Sequence, residues 1–218
     1  DPTPVYTPQP PSGSGNSNSG TIVPGAGNPI GIATADNNQT AQVRFADTVG
    51  HWAQKDIEEM AGRGIVSGVT ENTFEPDRAI TRAEFATLLV KALNLSSGVS
   101  AEFSDVFQSE WYYHSVNAAA NAGLIVGYDS LFRPNDLITR EEMAVVLEKA
   151  SSYLGKNAGR GGIERFSDQA SISDWAHDSV DAATTAGLIS GMPDGTFAPK
   201  ENATRAQAVS VIKRLLDL

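Results

Sequence analysis

The chain has 218 residues, a hydrophobic content of 40% and no cysteine, which is enough apolar sequence for a folded core but excludes disulfides, thiolate zinc sites and cysteine nucleophiles. A net charge of −10 without any cluster of Lys and Arg argues against nucleic-acid binding, which depends on clustered cations. There is no apolar run of about 18 residues, so we expect no membrane insertion.

The first 44 residues form a segment of different composition from the rest. Residues 1–20 are rich in Pro and then in Gly, Ser and Asn, which is typical of a flexible tether that cannot bury enough apolar surface to fold. Residues 21–43 carry scattered apolar side chains without helical or strand periodicity, and we expect them at most to dock loosely on the C-terminal part of the chain. The predicted segment 1–44 is therefore a linker.

Three copies of one pattern occupy the remainder of the chain, with predicted boundaries at 45–98, 99–160 and 161–218. Each copy has a Phe-x-Asp motif, a tryptophan, a Gly-led turn, a Phe-x-Pro motif and a Thr-Arg pair. The motifs at the two ends of the pattern are Phe45-x-Asp47 with Phe74-x-Pro76, Phe103-x-Asp105 with Phe132-x-Pro134, and Phe166-x-Asp168 with Phe197-x-Pro199.

The pattern predicts a short helix, a turn, an extended loop and a long helix in each repeat. In the first repeat the short helix is expected from His51 to Gly62, with Gly62 and Gly64 stopping it. A unit of about 60 residues buries too little surface to be secure alone, so the repeats should share one compact core rather than form an open solenoid. The apolar stripes expected there are Phe85, Leu88, Leu89 and Leu93; Met143, Val146 and Leu147; and Val209, Ile212 and Leu216.

Each long helix is predicted to begin with a capping box followed by an arginine. The boxes pair Thr81 with Glu84, Thr139 with Glu142 and Thr204 with Gln207. An arginine in the first turn is disfavoured by the helix dipole, and capping does not need one. Capping alone is the simpler interpretation, but we favour anion recognition, in which the guanidinium and the helix-start N–H groups form a carboxylate or phosphate site. The arginines concerned are Arg82, Arg140 and Arg205.

Trp52, Trp111 and Trp175 occur once per repeat, each near the start of a first helix. Packing into the core is the favoured role for a large apolar ring in this position. Stacking against the C–H face of a sugar is the alternative, because the indole offers both an aromatic face and an N–H donor.

Residues 45–217 carry, in tandem, the motifs Phe-x-Asp, Trp, Gly-Leu-Ile-x-Gly, Gly-Thr-Phe-x-Pro and Thr-Arg-Ala-Glu. This pattern resembles the S-layer homology domain family. The resemblance implies a mainly all-α fold, a pseudo-threefold, three-pronged spindle of three helix-loop-helix repeats around a central three-helix bundle. It also implies an extracellular cell-wall anchor. The implied ligand is a secondary cell wall polymer bearing N-acetylmannosamine with a 4,6-linked pyruvate ketal, held in grooves between prongs.

The resemblance assigns ligand-binding roles to eleven residues. The arginines would bind the ketal carboxylate, the glycines would let the backbone approach the sugar, the serines would offer hydroxyl groups, and the tryptophans would form groove walls. They are Arg82, Arg140 and Arg205; Gly68, Gly127 and Gly191; Ser67 and Ser190; and Trp52, Trp111 and Trp175. The second repeat has Val126 in place of serine and a shorter turn, so the first and third repeats are expected to bind more reliably.

No catalytic constellation is evident. His51, His114 and His177 lie at different offsets from the tryptophans, and no pair of carboxylates can be placed across a sugar. We therefore predict a chain that is not an enzyme and needs no cofactor or metal, with a cargo domain upstream of the tether. The alternative function is a protein–protein assembly module of a surface layer that does not bind glycan.

Overall fold

Helices alternate with loops along the chain, two helices to each repeat. The fold is seen in a computed structural model that describes residues 43–96, 98, 103–156, 159, 161 and 163–218. The predicted tether at 1–20 and the docking expected for 21–42 lie outside the described residues. The first helices of the repeats are α1 (Gln54–Gly62), α3 (Tyr113–Asn121) and α5 (Asp174–Thr185), and the second helices are α2 (Arg82–Ala92), α4 (Arg140–Tyr153) and α6 (Arg205–Leu216).

The prediction of a mainly all-α fold is confirmed. Within the described residues the chain forms these helices, short 3-10 segments and isolated β-bridges, but no strand. Helix α1 ends at Gly62 as expected, and Gly64 after it has a φ of +72°, which glycine adopts without strain. It begins at Gln54 rather than His51, because Nδ1 of His51 accepts the Ala53 N–H and holds these residues in a turn.

The capping boxes predicted at the second helices are all present. In the first repeat the Thr81 hydroxyl accepts the Glu84 N–H, while the Glu84 carboxylate accepts the Thr81 N–H at 2.9 Å. The same reciprocal bonds occur at Thr139 and Thr204, the latter with Gln207 in place of glutamate. The three second helices therefore begin where the sequence predicts.

The apolar stripes of the second helices meet in a shared core, as expected. Phe85, Met143 and Val209 are fully buried members of one cluster that draws on all three repeats. A smaller cluster lies between α2 and α3 around Val116 and Phe132. No helix in the described part of the chain is long and apolar enough to cross a membrane.

Packing joins each repeat to its neighbour. Helix α3 packs on α2, α5 packs on α4, and α1 packs on α6, so each first helix lies against the second helix of the preceding repeat and the first repeat lies against the last. Helix α6 also contacts both α2 and α4. The sequence repeats are thus not the packing units.

A ring of backbone hydrogen bonds closes this cycle just before the second helices. The Ile138 N–H donates to the Ile80 carbonyl (3.1 Å), the Ile80 N–H to that of Ala203 (3.0 Å), and the Ala203 N–H to that of Ile138 (2.9 Å). All three residues are buried. The three-pronged spindle around a central bundle remains a prediction, but the inter-repeat contacts run in a closed order.

Candidate functional site

Each helix-start arginine reaches across to the loop of the next repeat. Its Nε donates to the carbonyl of the phenylalanine in that repeat's Phe-x-Pro motif, and the guanidinium lies about 5 Å from the centre of the same ring. The hydrogen bonds run from Arg82 to Phe132 (2.9 Å), from Arg140 to Phe197 (2.8 Å) and from Arg205 to Phe74 (3.0 Å).

The helix-start N–H groups are not free to bind an anion, contrary to the expectation. The Arg82 N–H donates to the Asp136 carbonyl (2.9 Å) and the Ala83 N–H to that of Pro134 (3.0 Å), while the capping threonine takes the next one. Equivalent bonds form at the other two second helices. Any anion site here must therefore rest on the arginine side chains.

These arginines are buried cations. Arg140 and Arg205 are 3% and 9% exposed, and the Arg82 side chain is 12% exposed. Burial lowers the pKa of each guanidinium, although nearby carboxylates act against that shift. Because the ordinary pKa of arginine is so high, all three still carry a positive charge at neutral pH.

The three arginines differ in how that charge is balanced. Arg82 Nη1 bonds to Glu142 Oε1 at 2.8 Å, and Arg205 Nη1 lies 3.8 Å from Glu84 Oε1. Both carboxylates belong to the capping box of the next repeat. Arg140 instead donates through Nη2 to the Ser190 carbonyl at 2.7 Å and has no ion pair within the described residues.

The Phe-x-Asp motifs shape the loops that the arginines contact. The Asp47 carboxylate accepts the N–H groups of Phe74 and Glu75, and Glu75 has a φ of +59°. Asp105 and Asp168 hold the corresponding residues of their own repeats in the same way. A carboxylate that accepts two adjacent N–H groups stabilises a left-handed residue that is not glycine, so these aspartates position the loop.

The predicted site glycines have an internal packing role. A Cβ added to Gly68 would lie 2.6 Å from the Phe45 ring, and one added to Gly127 would lie 2.6 Å from the Phe103 ring. A Cβ added to Gly191 would lie 2.4 Å from the Phe166 ring. The structure therefore requires glycine for contact with the Phe-x-Asp ring, and a role in approaching a sugar stays a prediction.

The favoured core role for the tryptophans is wrong. Trp52, Trp111 and Trp175 are 63%, 48% and 61% exposed. In each repeat the residue that follows the tryptophan is buried instead, because the chain entering the first helix turns that position inward. The residues concerned are Ala53, Tyr112 and Ala176.

One cavity brings together parts of all three repeats. It has a volume of about 470 Å³ and is lined by Arg82 from the first repeat, Tyr128, Glu142 and Lys149 from the second, and Trp175 from the third. We call it the Arg82 groove. Gly127 and Val126 also line it.

The predicted serines lie beside the other two arginines. Ser67 and Ser190 are exposed, and their carbonyl groups accept hydrogen bonds from Arg205 and Arg140. Each helix-start arginine contacts the loop of the next repeat, so a single repeat does not form a site by itself. The expectation that the first and third repeats bind more reliably stays a prediction.

The family model for the S-layer homology domain matches residues 44–86, 102–144 and 165–209, which is more than half of the chain. The chain belongs to the S-layer homology domain family. The three tandem matches confirm that the chain carries three repeats of this family, while their exact boundaries stay a prediction. The cell-surface localisation is supported by relatives named as S-layer and cell-surface proteins.

Several relatives are much longer than this chain. The chain is similar to an amylopullulanase of Thermoanaerobacterium thermosulfurigenes (43% identity over 79% of this chain and 9% of the relative). It is similar to exoglucanase XynX of Acetivibrio thermocellus (43%, 80% and 16%) and to a cellulosome-anchoring protein of the same species (32%, 75% and 38%). Since the chain spans so little of the first two, their enzyme names are no evidence for catalysis by this chain.

Proposed function

We propose that this chain is a non-covalent cell-wall anchor that binds a secondary cell wall polymer through the pyruvate-ketal carboxylate on N-acetylmannosamine. The proposal follows from family membership and from one observation that carries it. That observation is the Arg82 groove, in which a buried guanidinium, an exposed indole and a second cation, Lys149, line one cavity of about 470 Å³. The volume falls in the range of small-molecule sites.

The groove offers suitable chemistry for an acidic sugar. The exposed face of Trp175 can stack on the C–H face of a pyranose ring, and its N–H can donate to a hydroxyl group. Arg82 and Lys149 supply donors for a carboxylate. An apolar wall beside cations distinguishes an acidic sugar from a simple ion.

Retention on isolated cell walls tests this function. Walls from a bacterium with pyruvylated polymer should retain the chain, and mild acid treatment that hydrolyses the ketals should abolish retention. Trp175→Ala should weaken binding, whereas Tyr153→Ala should not, because Tyr153 is similarly exposed but does not line the groove. Undiminished retention on walls stripped of ketals would rule out carboxylate recognition.

A second function remains in competition with the first. The exposed indoles of Trp52 and Trp111 would also suit a protein interface, as expected of a module that assembles a surface layer without binding glycan. Sedimentation without glycan distinguishes the two, since an assembly module should self-associate and the anchor should not. We further propose that the tether connects the anchor to a cargo domain, as the longer relatives suggest.

A further inference from the structure

We infer that Glu141 is a positioning residue for sugar binding, because it holds the start of helix α5 and with it the indole of Trp175 at the Arg82 groove. Glu141 lies in the first turn of α4 in the second repeat, and Trp175 lies in the first turn of α5 in the third. Trp175 lines the groove, whereas Glu141 lies outside it. The inference rests on the proposed function and names a residue on which that function depends.

Glu141 is a buried carboxylate whose hydrogen bonds cross to the third repeat. The residue is 3% exposed. Its Oε2 accepts the Ser173 N–H at 3.0 Å, and its Oε1 accepts the Ser173 hydroxyl at 3.1 Å and the Lys200 ammonium at 2.5 Å. A buried carboxylate is tolerated when it is both paired and hydrogen-bonded, and Glu141 meets both conditions.

These bonds fix the entry to α5 in place of a local cap. Ser173 is the N-cap residue of α5, but its hydroxyl caps none of the helix's own N–H groups and donates to Glu141 instead. The second helices, in contrast, are capped by their own threonines. A carboxylate near the N-terminus of a helix is also favoured by the helix dipole. The start of α5 is therefore held by the preceding repeat.

The other two junctions between repeats have no such carboxylate. The residues equivalent to Glu141 in the other second helices are Ala83 and Ala206, and both are buried. An alanine side chain forms no hydrogen bond, so α3 and α1 are not held in this way where they pack on α2 and α6. The junction that has the glutamate is the one that presents Trp175 to the Arg82 groove.

The place of the Trp175 ring depends on the backbone that carries it. The residue is 61% exposed, so its own packing contacts fix the indole only weakly. Trp175 follows Ser173 by two residues, and the bonds from Glu141 therefore act directly beside it. A binding group is held in its productive geometry by supporting residues. Without Glu141, the indole would have to be ordered when the sugar binds, which reduces affinity.

A double-mutant cycle tests whether Glu141 acts through Trp175. The probe is the methyl glycoside of pyruvylated N-acetylmannosamine, titrated into the whole chain by calorimetry. Glu141→Ala should weaken binding about fivefold, which is the loss expected when one side chain must be ordered on binding. In a Trp175→Ala background the same change should alter affinity by less than about twofold, because the group that Glu141 positions is gone.

Fluorescence anisotropy gives a readout that does not require the ligand. With Trp52→Phe and Trp111→Phe, Trp175 is the single tryptophan of the chain. Adding Glu141→Ala should lower the residual anisotropy of its decay, because a ring on a loosened helix start rotates over a wider angle. A role for Glu141 in overall stability alone would leave this signal unchanged in the folded protein.

Glu201→Ala is the matched control. It removes a glutamate beside Lys200 whose side chain is exposed and forms no hydrogen bond or ion pair among the residues that the structure describes. It should leave both affinity and anisotropy unchanged. Ser173→Ala removes the hydroxyl bond to Glu141 from the other side and should act in the same direction as Glu141→Ala. Thermal melting checks that each variant is folded.

The outcomes separate this inference from the proposed function. If the parent binds the probe but Glu141→Ala and Ser173→Ala match Glu201→Ala in affinity or in anisotropy, the inference is wrong while the proposed function stands. An equal loss of affinity from Glu141→Ala with and without Trp175 would also overturn it. If the parent binds neither the probe nor pyruvylated walls, the proposed function fails and this inference fails with it.

Discussion

Replacing Arg140 by alanine should destabilise the whole fold. The change removes two charge-assisted hydrogen bonds, to the Phe197 and Ser190 carbonyls, together with the contact over the Phe197 ring. Such bonds contribute about 1.5 to 3 kcal/mol each, but loss of a buried cation also removes a desolvation cost. We expect a net loss of about 3 kcal/mol in the free energy of unfolding, or roughly 6 to 12 °C in Tm for a domain of this size.

Urea denaturation followed by far-ultraviolet circular dichroism measures this loss. Arg133→Ala is the matched control, because its side chain is 49% exposed and its ion pairs should contribute less than about 1 kcal/mol. If Arg140→Ala unfolds at the same urea concentration as Arg133→Ala, the arginine does not join the repeats as described. The expected loss also means that alanine variants of these arginines test binding only when their stability is measured alongside.

Three other perturbations have clear expected outcomes. Gly191→Ala should lower the free energy of unfolding by about 2 kcal/mol, because the new Cβ would clash with the Phe166 ring. Gly62→Ala, at an uncrowded helix position, should raise it by up to about 1 kcal/mol. Equal Tm values for the two variants would contradict this. Burial acts to raise the pKa of the Glu84 carboxyl, but hydrogen bonds from Arg78 and Thr81 outweigh burial and lower it. The ionised Glu84 therefore stabilises the fold above its ordinary pKa of about 4.3, and this stabilisation is lost as the pH falls through the lowered pKa. Glu84→Gln should therefore lose less stability than the parent between pH 7 and 3, and parallel pH curves would refute this. Trp175→Ala should change the urea midpoint little, because its indole is mostly exposed, and a large loss would show an unrecognised packing role.

Local signals in the sequence predicted much of the fold. The Thr-x-x-Glu spacing located the starts of the second helices, since a capping box depends only on residues within one turn. Helical spacing of apolar residues such as Phe85 and Leu89 likewise identified the faces that form the core.

The contacts between repeats could not be predicted in this way. Nothing local to Arg140 indicates that its partners are Phe197 and Ser190, which lie far along the chain in the next repeat. The prediction of buried tryptophans was wrong because burial at the entry to a helix depends on the direction in which the chain arrives.

The hydrogen-bond ring of Ile80, Ala203 and Ile138 has a mechanical consequence for a molecule that holds a load on a surface. In a linear array of repeats, tension at one end can peel units away in succession. Here the first and third repeats contact each other as well as the second repeat, so a force on either terminus must break two contacts between repeats at once. An anchor of this shape should yield in a single large step under force.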